Sequence, residues 1–188
     1  SKPSDLIILV GHTLDIMDYC KIRMDAEKEA REYAKLHRGN TEVTIEDIYE
    51  IVERKTGIPK TKGIETEFSV ELDLCFANPY MKRVFELIKY QKKEIVICSD
   101  MYYPSNMLDI LLKKCGYDGY SKIYVSCEYN CTKRNGGLYE ILKQKYSNLV
   151  HIGDNMKSDI EMAQQAGIPA IKYYNVNEHG NLFRADGM

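Results

Sequence analysis

Asp154 and Asp159 are the residues in this chain best suited to chemistry. They belong to the run Val150-His151-Ile152-Gly153-Asp154-Asn155-Met156-Lys157-Ser158-Asp159, where a short apolar stretch stops at a Gly-Asp and a second carboxylate follows. Such a run reads as a buried strand that ends in a loop, and ligands of parallel sheets gather outside the carboxyl ends of the strands. Two carboxylates with oxygen-rich neighbours suit a hard cation such as Mg²⁺, which takes few protein carboxylates and leaves places for water and phosphate. The loop therefore predicts a metal-dependent phosphate site.

Two further groups stand at the ends of apolar runs. Ile95-Val96-Ile97-Cys98 is followed by Ser99-Asp100-Met101-Tyr102, where a hydroxyl and successive backbone amides can hydrogen-bond a phosphate oxygen. Lys133 follows the next run and offers a point charge against phosphate or carboxylate. Each residue alone has an ordinary reading: Ser99 as a turn residue, Lys133 as a solvated charge, Asp154 as a helix cap. Their shared position, each after a strand and in this order, is harder to explain that way. A phospho-acceptor receiver domain would carry its acidic cluster first and its lysine last, opposite to the order here.

The elements that must position these groups fall into two textures. Up to about residue 77 the pattern is helical. Asp18 can cap a segment with Ile22, Ala26, Ala30, Tyr33 and Ala34 at helical spacing, and Thr44-Ile45-Glu46-Asp47 resembles a capping box before Ile48, Ile51 and Val52. Ile64, Phe68, Leu72 and Cys75 or Phe76 continue on another helix. From Asn78-Pro79, a cap with proline at the first helical position, a helix is predicted with Val84, Leu87 and Ile88 on one face. Short apolar runs then alternate with helical patterns: strands over 94–98, 122–126, 149–152 and 169–173, and helices over 104–115, 135–146 and 158–166. This alternation means βαβ units and a parallel sheet covered on both faces. Gly116 and Gly167 stand where helices stop.

Bulk properties narrow the classes. The 188 residues can hold one domain, or a domain with a smaller one inserted. Apolar runs fall far short of the roughly 20 residues needed to span a bilayer, so no membrane partner is expected. The net charge of −2 gives no basic footprint for nucleic acid. The six cysteines follow no secretory signal, Cys127 and Cys131 lack zinc-knuckle spacing, and reduced, mostly buried thiols in a cytoplasmic protein are the expectation. The histidines form no i, i+4 pair, and His151 is expected to be strand-packed and hydrogen-bonded.

The ordered set resembles the haloacid dehalogenase-like (HAD) hydrolases. Ile95-Val96-Ile97-Cys98-Ser99 matches their second motif, Lys133 within Thr132-Lys133-Arg134-Asn135-Gly136 their third, and Gly153-Asp154 with Asp159 their fourth. Arg23, Ala26-Glu27, Ala30-Arg31, Ile48-Tyr49, Ser99-Asp100-Met101-Tyr102 and Gly137-Leu138-Tyr139 look like a HAD branch of bacterial proteins that often also carry glycosyltransferase regions. The resemblance implies an α/β fold: a three-layer, Rossmann-like core with a parallel sheet over 78–188, and an all-helical cap over 1–77. It implies a phosphoric monoester hydrolase acting on a small phosphorylated metabolite through an aspartyl-phosphate. Ser99 and Lys133 would hold the phosphoryl group, and Asp154, with Asp159 the weaker candidate, would bind Mg²⁺. The alternative is a non-catalytic HAD-fold binding domain beside a fused or associated glycosyltransferase region, with the carboxylates as relics or caps.

One element of the pattern is missing. No DxDx[TV], the first motif that supplies the nucleophile and the general acid/base, follows an apolar strand anywhere in the sequence. Either Leu6-Ile7-Ile8-Leu9-Val10 is the first strand with a degenerate motif after it, or Lys2-Pro3-Ser4-Asp5-Leu6 already begins the cap and the strand with its aspartates preceded Ser1. Pro3-Ser4-Asp5, a helix-start signature, favours the second. In HAD folds that strand lies between those carrying the second and fourth motifs. Residues 6–10 or residues outside this sequence are therefore expected to fill its place. The closing residues 182–188 carry no stop signal, which fits a piece of a longer protein.

Overall fold

The computed structural model describes residues 3–173; the closing segment 182–188 lies outside them. Contacts divide the chain into two compact units, 1–130 and 131–188. The change of texture near 77/78 falls inside the first unit, between its helices and its α/β part. Among the described residues no helix is long and apolar enough to cross a membrane.

The first unit begins with four helices: α1 (Pro3–Leu14), α2 (Tyr19–Arg38), α3 (Ile45–Thr56) and α4 (Lys60–Leu74). Residues 6–10 are helical, so the strand reading of this run does not hold. The reason is periodicity across the longer segment. Ile7, Val10, Gly11 and Leu14 recur at helical spacing, with Ile7 and Val10 buried, whereas Ile8 and Leu9 are 46% and 44% exposed. Thr44 closes the expected capping box: its hydroxyl accepts from Asp47 N (3.1 Å) and Asp47 Oδ2 accepts from Thr44 N (2.9 Å). Asp18 stands at the N-cap of α2 in a left-handed conformation (φ 56°) and makes no side-chain cap bond, contrary to its expected role. The helices meet over Val10, Tyr19, Ala26, Ala30, Ala34, Ile48, Tyr49 and Val52. Gly63 is required here because a β-carbon would overlap the Tyr49 ring.

The same unit continues with α5 (Pro79–Tyr90), β1 (Val96–Ser99), α6 (Ser105–Lys114), β2 (Lys122–Val125) and the short α7 (Ser126–Tyr129). Asn78 caps α5, its Oδ1 accepting from Tyr80 N and Met81 N. The buried face of α5 differs from the expected one: Phe85 is buried and stacks edge-on against Tyr117, while Leu87 is 56% exposed. Strands β1 and β2 are parallel, with Val96 beside Lys122 and Ser99 beside Val125, and α6 makes the crossover.

The second unit holds α8 (Gly137–Lys145), β3 (His151–Gly153), a π-helix (Met156–Glu161), α9 (Met162–Gln165) and β4 (Ala170–Lys172). Strands β3 and β4 are parallel, His151 beside Ala170. Leu138, Tyr139, Leu142, Ile160, Ala163 and Ile168 are its buried hydrophobic residues among those described. The expected α/β alternation is present in both units. Among the described residues β1 has one strand neighbour, β2, and β3 has one, β4. Residues 6–10, being part of α1, form no strand.

None of the six cysteines is disulfide-bonded. Only Cys127 is fully buried; the other five are half-buried, so the expectation of mostly buried thiols is corrected.

Candidate functional site

Ser99 is the last residue of β1, and the loop it opens is fixed by neighbours on both sides. Ser126, buried at the end of β2, accepts a hydrogen bond from Met101 N at 3.0 Å. Tyr102 O accepts from Ile45 N at 2.8 Å, and Tyr103 is fully buried among the helices. Glu128 Oε1 accepts from both Ser105 N and Ser105 Oγ at 2.8 Å. The position of the Ser99 loop thus depends on Ser126 and Glu128, neither of which stood out in the sequence. Their only signal was their place directly after the second strand.

The second unit brings Lys133 and Asp159 into contact. Lys133 Nζ lies 2.6 Å from Asp159 Oδ1, and the side chains are 13% and 5% exposed. Asp159 Oδ2 accepts from Asn155 N (3.0 Å), and Ser158 Oγ lies 3.4 Å from Oδ1. His151 packs edge-on against Tyr139 and places Nε2 3.5 Å from Asp159 Oδ1. Burial alone would raise the Asp159 carboxyl. The approach of His151, the hydrogen bond and charge of Lys133, and the Asn155 N–H outweigh it and hold the group well below the usual carboxylate range.

Three local features build this arrangement. Gly153 leaves the space that Asp159 occupies: a β-carbon there would overlap the carboxylate. Asn155 is the helix cap, its Oδ1 accepting from Lys157 N (3.1 Å) and Ser158 N (3.0 Å), so capping does not account for Asp154. Beyond it the helix opens by one residue per turn. Met162 N reaches back to Lys157 O, the i→i−5 bond of a π-helix, while Ser158 O accepts instead from Tyr139 OH at 2.8 Å. The sequence predicted one α-helix over 158–166, and the π turn departs from that.

Asp154 is half-buried and follows β3 directly, two residues before the π-helix that carries Asp159. Ser99 belongs to the other unit. Among the described residues no group of three or more His, Cys, Asp or Glu side chains is arranged to hold a metal ion. Both Asp159 oxygens carry hydrogen bonds, Oδ1 from Lys133 Nζ and Oδ2 from Asn155 N.

Among solved structures the chain is similar to the L-2-haloacid dehalogenase of Xanthobacter autotrophicus with chloropropionic acid covalently bound. The TM-score is 0.63 at 8% identity, over 98% of this chain and 78% of that one. It is also similar to YfnB of Bacillus subtilis, assigned to the HAD hydrolases and bound to magnesium, with TM-score 0.58 at 14% identity over 98% and 91%. At these identities the likeness establishes a shared fold, an α/β Rossmann-like core with a helical cap. No curated protein matches the sequence. The family model for haloacid dehalogenase-like hydrolases matches residues 14–167. With most of its length matched by that model, this chain belongs to the haloacid dehalogenase-like hydrolase family.

Proposed function

We propose that this chain carries the phosphate- and magnesium-holding part of a HAD phosphatase for a small phosphorylated metabolite. The observation that carries the reading is the Lys133–Asp159 pair, with Asp154 five residues before Asp159 in the chain. A lysine held by a buried carboxylate keeps its charge at a fixed place, where it can offset an anionic oxygen without being reorganised. Ser99, at the end of β1 in the first unit, is the phosphate-binding hydroxyl that the family resemblance implies. Asp154 would hold Mg²⁺ directly, and Asp159 acts through Lys133 and the loop backbone. When bound, Mg²⁺ offsets charge on the phosphoryl oxygens and on the attacking carboxylate. A cytoplasmic location belongs to the same proposal.

The attacking carboxylate has no counterpart in the sequence, which contains no DxDx[TV]. The chain as it stands is therefore expected to bind without turnover. That same lack favours a second reading: a non-catalytic HAD-fold binding domain of a carbohydrate-processing protein with a glycosyltransferase region. Calorimetric titration of the full chain with Mg²⁺ separates the two. The first reading expects saturable binding that Asp154→Ala abolishes, together with no hydrolysis of p-nitrophenyl phosphate. Absence of saturable binding would leave the second reading standing, and hydrolysis that Asp154→Ala removes would overturn the expectation of no turnover.

A further inference from the structure

Cys75 and Cys115 lie far apart in sequence and meet at the segment 75–78, through which the chain passes from its opening helices into its α/β part. Cys75 ends α4 and Cys115 ends α6, with their sulfurs 3.6 Å apart, in van der Waals contact. Both thiols are half-buried, so a small oxidant can reach them. The end of α6 already clasps this segment by weaker means: Lys114 Nζ donates to Cys75 O (2.6 Å) and to Asp73 O (3.4 Å), and Tyr117 OH to Asn78 O (3.4 Å). Two side-chain rotations would bring the sulfurs to the ~2.05 Å of a covalent bond.

We propose that Cys75 and Cys115 form a reversible, peroxide-driven disulfide that fastens the passage between α4 and α5 to the end of α6. In the first step one sulfur, as thiolate, attacks a hydroperoxide oxygen; the O–O bond breaks, hydroxide leaves and a sulfenic acid forms. The second sulfur then attacks the sulfenic sulfur as its own proton is lost; the S–S bond forms, the S–O bond breaks and water leaves. The two sulfurs give up two electrons, and hydrogen peroxide is reduced to two waters. Burial, and next the hydrogen bond with Cys115, push the Cys75 thiol up to about 11, so its thiolate is scarce near neutral pH and its oxidation is slow. The staple is independent of the phosphatase reading, because none of its residues belongs to that site.

The test treats the full chain with hydrogen peroxide, blocks remaining thiols by alkylation and maps the digest by mass spectrometry. The expected product is a peptide joining Cys75 to Cys115, two hydrogens lighter than its reduced parts and released by dithiothreitol. Cys75→Ser and Cys115→Ser should each lose it, while Cys20→Ser retains it. Closing a loop of this length should raise the unfolding midpoint of the oxidised protein by about 10 °C over the reduced protein, with no such shift in Cys75→Ser. Failure to find the linked peptide, its persistence in either serine variant, or an oxidised midpoint equal to or below the reduced one would overturn the proposal.

Discussion

In the helices of the first unit Arg23 meets Glu67 through two parallel hydrogen bonds, of 2.8 and 2.9 Å, whereas in the second unit Lys133 meets Asp159 through one of 2.6 Å. Arg23 and Glu67 are wholly buried. Tyr49 OH donates to Glu67 Oε2 at 2.7 Å, Tyr19 OH donates to Tyr49 OH, and the Tyr102 ring lies 5.0 Å from the guanidinium. This pair ties together α2, α3, α4 and the loop after β1, and its forked geometry admits only one arrangement of them. The lysine pair is less enclosed and stands beside a strand end. A flexible stem with a compact charge suits the anion-binding role proposed for it. The contrast separates a pair that specifies packing from one that, in the proposed function, holds a charge in readiness.

Breaking the closed pair should have the largest effect. Glu67→Ala leaves the Tyr49 hydroxyl without its acceptor and the buried Arg23 guanidinium with Glu27 Oε2 alone, at a cost of about 3–5 kcal/mol, read by urea unfolding. Replacing both Arg23 and Glu67 with apolar residues of similar volume should cost much less, since no orphaned charge remains. Asp159→Ala should be milder, about 2 kcal/mol by the same measurement, because Lys133 can extend toward solvent. If the two single variants lost equal stability, the distinction between the pairs would fail.

How far the sequence revealed these sites depended on the range of the interactions. The Thr44 capping box, the Asn78-Pro79 helix start and the alternation of strands and helices after residue 78 are local, and the structure contains them. Glu67 was not legible: it shares a face with Ile64, Phe68 and Glu71, and its burial is explained by partners 44 and 18 residues away. Residues 6–10 could not be settled from five apolar positions, because helix and strand differ only once the pattern extends to Gly11 and Leu14. The π turn was not legible, since its i→i−5 bond from Met162 N to Lys157 O leaves no mark on the residue pattern. At the site, Lys133 and Asp159 were legible as separate motif residues. Their direct contact, and the capping by Asn155 in place of Asp154, were not.

Tyr49→Phe probes how closed the arginine pair is. It removes one donor from Glu67 Oε2 and the acceptor of the Tyr19 hydroxyl, while Arg23 still holds both carboxylate oxygens. A hydrogen bond to a charged acceptor contributes about 1.5–3 kcal/mol, and the retained fork places the expected loss near the lower end, in the same unfolding assay. A loss approaching that of Glu67→Ala would mean that the tyrosine, and not the fork, maintains the pair.

The smallest effect is one of pH, and it belongs to the lysine pair. The Asp159 carboxyl is held below its ordinary range in the folded chain, so its stabilising contribution is fully present above the unfolded value of about 3.9. It is lost as the pH falls from there toward the folded value, because the unfolded chain then binds a proton that the folded chain refuses. At pH 3 the loss from this one group amounts to about 1 kcal/mol relative to pH 6. Other carboxylates titrate in the same window, so the quantity to measure is a difference. The stability gap between wild type and Asp159→Asn, taken from urea unfolding at each pH, should narrow by that amount on going from pH 6 to pH 3. A constant gap would mean that Lys133 and Asn155 do not hold the carboxylate in its ionised form, and the charge held in readiness would lose its physical basis.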